Sequence, residues 1–233
     1  MEDAQSSATD YACGPPRRHH SLYFEDGTLV MQVENAVFKI QRSLLARYST
    51  VLRDMLSVPS VEGNKDGTDE RPLVMSGDSA ASWELLLGLQ YDITRNRPGA
   101  LKGEEMLTIL PIAHKYCMDE IEVWIVEQLK VTSSYDGLVD LIVASRIVDS
   151  DELYQDGLQR LLSTKSSPTL HQAKRMGVEV TYAIMKAAAD AAIANVTSDL
   201  EAKHSKALAA VVNPKCRNCH GQNWFCGNCS HGM

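Results

Sequence analysis

Cys216, Cys219, Cys226 and Cys229 stand near the C-terminus as two Cys-x-x-Cys pairs with six residues between them. A Cys-x-x-Cys turn points both sulfurs the same way. Two such turns complete the tetrahedral thiolate shell that zinc prefers, with Zn–S bonds of about 2.3 Å. The spacing therefore predicts one structural zinc per chain, stapling a segment too short to build its own core. Asn213-Pro214 and Gly227 supply the turn chemistry of such a knuckle. His220 and His231 could each replace a cysteine, although four thiols already suffice. Two disulfides are an alternative that needs an oxidising compartment. A thiol–disulfide redox pair is another, but the flanks CRNC and CGNC lack the βαβ setting of thioredoxin-like sites. A nucleic-acid knuckle of the CCHC kind would need a histidine where Trp224 follows Cys219. A closed four-thiolate shell leaves no open position, which argues against hydrolytic zinc catalysis.

Other reactive types read as structure. Cys117 falls on an apolar helical run and is expected to be a small buried hydrophobe. His114, three residues before it, imitates half of a catalytic dyad with no third group to orient it. Trp83 and Trp124 lie on apolar faces and are expected in the core. No convergent set of titratable residues stands at a catalytic spacing, so a non-enzymatic protein is expected.

The net charge of −7 is uneven. Lys203, Lys206, Lys215 and Arg217 face no acid after residue 203, so −7 less the tail's +4 leaves −11 on residues 1–202. An acidic body opposes a broad phosphate-binding surface, and nucleic acid is an unlikely partner for it. No apolar run approaches the eighteen or so residues of a membrane span, and the N-terminus carries no secretory h-region. A cytoplasmic or nuclear location, or both, is the expectation.

These residues must be positioned by a mixed set of elements. Leu29, Met31 and Val33 alternate with Val30 and Gln32 as a half-buried strand does. Glu34-Asn35 punctuates, and Val37-Phe38-Lys39-Ile40 resumes the extended pattern. From Leu44 the period becomes helical through Leu45, Tyr48, Leu52, Met55 and Leu56, with Ser43 and Ser49 as candidate N-caps of two short helices. Residues 1–20 are expected to be disordered, and Ser57 to Arg71 to form a long mobile loop. Further on, Leu107, Leu110, Ala113 and Tyr116 repeat as Leu138, Leu141, Ala144 and Ile147. Two stacked helical hairpins follow from that repeat. Pro111 interrupts the first, predicting a helix that begins near Leu110 or kinks there. The alanine-rich run from Glu179 to Val212 predicts one long helix or two in succession.

The whole order resembles the BTB/POZ domain, an interaction fold. An acidic strand opening, a phenylalanine strand, a basic residue and a leucine-alanine-x-x-serine helix start match Asp26, Phe38, Arg42, Leu45-Ala46 and Ser49. Gln41 stands where the family usually has histidine. Pro72 to Met75 resembles the third strand, Trp83 to Tyr91 the helix after it, and Met106 to Leu129 the closing helix pair. The wording LVMQVENAVFKIQRSLLARYS is also similar to BTB proteins of mushroom-forming fungi. The resemblance implies an α+β fold and four regions. These are a disordered 1–20, a BTB domain over 21–131, a helical extension over 132–212 and a zinc-binding tail over 213–233. It implies a homodimer, with Asp26 and Arg42 as a charged pair in a shallow groove at the paired surface and Tyr48 beside them in partner binding. An ordinary strand-end acid and a solvated arginine remain the plainer reading of that pair. The implied role is an adaptor or scaffold, with a cullin of a ubiquitin ligase or a transcriptional corepressor as partner. The alternative is a chromatin- or transcription-associated protein that uses its zinc tail.

Overall fold

Met31 opposite Phe38 sets the register of the central hairpin, in which β2 (Leu29–Val33) and β3 (Ala36–Ile40) pair antiparallel. Strand β3 buries alternate apolar side chains, β2 buries Leu29, Val30, Met31 and Val33, and Glu34 turns the chain with φ 52°. The Glu34 carboxylate also accepts from the Ala80 N–H at 3.0 Å, tying this turn to the start of a helix. The molecule is described by a computed structural model covering residues 14–58, 66–93, 101–164 and 166–212. It is a mixed α+β fold with a four-stranded sheet ordered β1-β3-β2-β4.

Strand β1 (Arg17–Tyr23) lies parallel to β3 and corrects the expectation of a disordered 1–20 stretch at Arg17 to His20. His19 holds it. The imidazole is buried, stacks on Phe38 with ring centroids 5.0 Å apart, and its Nδ1 accepts from the N–H groups of Ser21 and Leu22 at 3.3 and 3.1 Å. The ring proton therefore sits on Nε2, 3.4 Å from the Glu84 carboxylate. The supposedly mobile loop is likewise ordered in its last part. Gly67, at φ +88°, accepts from the Val30 N–H at 2.9 Å, and a Cβ there would meet Leu29 at 2.6 Å. Strand β4 (Leu73–Val74) then runs parallel to β2.

Helices α1 (Arg42–Tyr48) and α2 (Thr50–Ser57) are the two short helices expected. Ser49 caps the second, accepting from the Leu52 N–H at 2.9 Å while donating to the Tyr116 carbonyl. Ser43 is no cap; α1 starts after Gln41. Helix α3 (Ala80–Ile93) places Trp83 fully inside. Asp78, just before it, has a side chain only 2% exposed. It accepts from Trp83 Nε1 at 3.0 Å, Tyr116 Oη at 2.7 Å and Lys115 Nζ at 2.6 Å. Burial opposes its charge, but those three donors win and hold the carboxyl below its ordinary value.

Two hairpins follow, α4 (Gly103–Lys115) with α5 (Asp119–Lys130), then α6 (Tyr135–Ile147) with α7 (Asp151–Ser163). Helix α4 continues through exposed Pro111, so it does not begin at Leu110. The repeat extends into the turns. Cys117 (φ 48°) and Asp149 (φ 51°) each take the left-handed position after a helix. In each turn the next N–H, from Met118 or Ser150, reaches five residues back, to Ala113 or Ser145, at 2.9 Å. Cys117 is exposed there, which overturns its reading as a buried hydrophobe. Trp124 is half-buried against the core.

The main core joins the sheet to α1–α5 and takes Leu141 and Ala144 from α6. A smaller core gathers the other side of α6, Leu138, Val139 and Ile142, with Leu161, Met176, Val180 and Ile184. Met176 ends α8 (Leu170–Met176), and the last two residues open α9 (Val178–Val212). From Ala188 to Leu208 every residue of α9 is exposed. Among the described residues no helix is long and apolar enough to cross a membrane.

Candidate functional site

Two concave surfaces stand out. The first is a cavity of about 410 Å³ where β1 and the segment after it, the end of β3 and α3 meet, lined by Leu22, Phe24, Asp26, Gln41, Gly88 and Tyr91. Gln41 organises its mouth. Its side-chain amide donates to the Asp26 carbonyl at 2.9 Å and to the Asp26 carboxylate at 3.2 Å. Its backbone N–H donates to the Tyr91 phenol at 3.1 Å. Tyr91 packs on Phe24 with centroids 4.8 Å apart. Burial, with Asp26 nearby, pushes its hydroxyl above the ordinary tyrosine value against the pull of the Gln41 N–H.

The three expected binding residues are only partly brought together. Asp26 lines the cavity and is exposed. Arg42 begins α1, where its backbone N–H donates to Thr28 Oγ1 at 2.9 Å. Among the described residues no ion pair joins it to Asp26, whose carboxylate accepts instead from the Gln41 amide. Tyr48 ends α1 half-buried against the main core, with the Arg47 guanidinium 5.4 Å from its ring centre. The residue that departs from the family pattern, Gln41, is thus the one that fixes Asp26.

The second surface is larger, a groove of about 750 Å³ between α5 and α7. Val123, Val126 and Leu153 give it an apolar floor, and Val123 is 60% exposed. Four carboxylates line it, Glu122, Glu127, Glu152 and Asp156, against two cations, Lys130 and Arg160. Both cations are engaged. Lys130 pairs with Glu127 at 3.0 Å, which holds its ammonium above the ordinary value. Arg160 donates to the Lys130 carbonyl at 2.9 Å, to the Thr132 carbonyl and to Asp156, closing the C-terminal end of α5. At the other end His114 Nδ1 lies 2.9 Å from Glu122, so the histidine does have an orienting carboxylate. The groove offers an apolar seat inside an acidic rim. In sequence its signal was an excess: α5 carries Val123 and Val126 beyond its buried Ile121, Ile125 and Leu129.

Cys216, Cys219, Cys226 and Cys229 lie outside the described residues. Among the described residues no group of three or more His, Cys, Asp or Glu is arranged to hold a metal.

With this geometry in view, the chain was compared with known proteins. No family model matches it, and no curated protein matches it.

Proposed function

We propose that this chain is a non-enzymatic interaction adaptor built on a BTB/POZ-like body, with the α5–α7 groove as a principal docking surface. The observation that carries the reading is the groove itself: an exposed apolar floor whose surrounding cations are already paired, leaving an acidic rim. Such a seat suits an extended or helical segment with apolar anchors and basic flanks, since anchors supply affinity and charge complementarity supplies steering. Support for a BTB-like body comes from the order β2, β3, α1, α2, β4, α3, α4, α5, which is the order that the sequence resemblance implies. On this reading a cullin scaffold of a ubiquitin ligase is the leading partner, a corepressor the next. The helical extension and the zinc-bound tail then position a client. The protein works as a homodimer in the cytoplasm, the nucleus or both.

The test is reconstitution. The full chain, purified without chelator, is mixed with purified cullin N-terminal regions and run by gel filtration. A co-eluting complex with one cullin supports the specific role, and none with any cullin removes it. The second reading, a chromatin-associated protein using its tail, rests on the tail's +4 charge and its Trp224-Phe225 pair. Binding of the full chain to DNA or RNA that weakens with salt favours that reading, and no binding at low salt ends it.

A further inference from the structure

Helix α9 carries a second interaction surface that the adaptor reading does not use. Tyr182, Met185, Ala189, Ile193, Val196, Leu200, His204 and Ala207 follow one another at spacings of three, four and four residues. That eleven-residue period, 3.67 residues per turn, keeps a stripe on one face of a nearly straight helix. The stripe is bare. Tyr182, Ile193, Val196 and Leu200 are between 59% and 65% exposed, and Met185 is 51% exposed. The body covers a different face, through Val180 and Ile184, and covers nothing beyond Ala187. From Tyr182 to Leu208 the surface is about 40 Å long at 1.5 Å per residue. A helix with no packing along this length draws little stability from propensity alone.

We infer that this stripe pairs antiparallel with the α9 of a second copy of the chain. The charges choose the partner. Lys186, Lys203 and Lys206 balance Asp190, Asp199 and Glu201, so the stretch is neutral although the whole chain carries −7. A neutral stretch gives a nucleic acid or a strongly charged protein no electrostatic advantage, and two copies meet on it without net repulsion. The layout chooses the direction. Reflection about Ser198 sets Val196 against Leu200 and Ala189 against Ala207, so large side chains fill one layer and small ones bring the helices close in another. Parallel order instead sets Asp199 and Glu201 of both copies at one level. A pair of single helices this long sits at the small end of specific interfaces, so the association depends on concentration.

The test is sedimentation equilibrium of the full chain, purified without chelator, from about 1 to 100 μM, beside Val196→Glu/Leu200→Glu. Both positions are exposed and lie beyond the body, so the variant keeps the body's wild-type melting. The expected result is a wild-type dimer whose dissociation constant rises at least tenfold in the variant. A photo-reactive benzoylphenylalanine at Met185 then reports direction: antiparallel pairing links it to the peptide 207–215 of the second copy. A wild-type monomer at 100 μM, or a dimer unchanged in the variant, overturns the proposal. A link from Met185 only to the region around residue 185 of the second copy overturns the antiparallel order.

Discussion

The body and the far half of α9 are both built from good helix formers, yet they are held in opposite ways. In the body the amphipathic faces pack on neighbours except at the open α5–α7 groove, and even polar anchors such as Asp78 and His19 are buried with partners. Beyond Ala187, α9 has propensity and a stripe but no neighbour among the described residues. Helix propensity alone can shape an element; only burial fixes its place.

The largest expected break lies in the core. Trp83→Ala removes the largest fully buried side chain and leaves Asp78 without one of its donors. A loss of about 3–5 kcal/mol is expected from cavity formation. Leu200→Ala, on the bare stripe, is expected to change the body's unfolding by less than about 0.5 kcal/mol at concentrations too low for pairing. Urea titrations of both variants check the contrast; equal losses would erase it.

Asp78→Asn comes next, with an expected loss on the order of 2 kcal/mol, since hydrogen bonds to a charged group contribute about 1.5–3. The pH dependence has a definite sign. A carboxyl held low in the fold stabilises it above the ordinary carboxylate range, and that contribution disappears as pH falls below it. The variant should therefore lose less stability than wild type on acidification, read as melting temperature between pH 6 and 3. His19 acts in the same direction nearer neutrality. Burial holds the imidazole below its ordinary 6.5 against the pull of Glu84, so its contribution is full above that value and is lost as pH falls through the lowered one. Protonation also removes the Nδ1 acceptor of the Ser21 and Leu22 N–H groups. The protection factors of those two amides are expected to fall as pH drops below 6.5, before those of the main core, and unchanged protection would contradict it. The smallest effect belongs to the turns. Cys117→Gly relieves a side chain in the left-handed region and is expected to stabilise by about 0.5–1 kcal/mol in the same titrations.

Much of this was legible in the sequence. Period-two alternation marked β2 and β3, and helical spacing marked the two hairpins, because these signals arise within one element. Strand β1 was not legible: Arg17-Arg18-His19-His20 reads as solvated, and only parallel pairing with β3 and the pocket over Phe38 make His19 a buried anchor. The same holds for Asp26. The resemblance to BTB/POZ domains implied Arg42, but the partner in space is Gln41 across the hairpin base. The α5–α7 groove was missed because it exists only once two helices lie side by side. Cys117 was misread because the left-handed turn that exposes it is a backbone property, invisible to hydrophobic spacing.

The central claim is that the α5–α7 groove is where a partner docks. Calorimetric titration of wild type and Val123→Arg against the cullin region found by reconstitution tests it most directly. Val123 is 60% exposed, so the fold should be untouched. The account predicts at least a tenfold loss of affinity with unchanged circular dichroism; equal affinity for both proteins would contradict it.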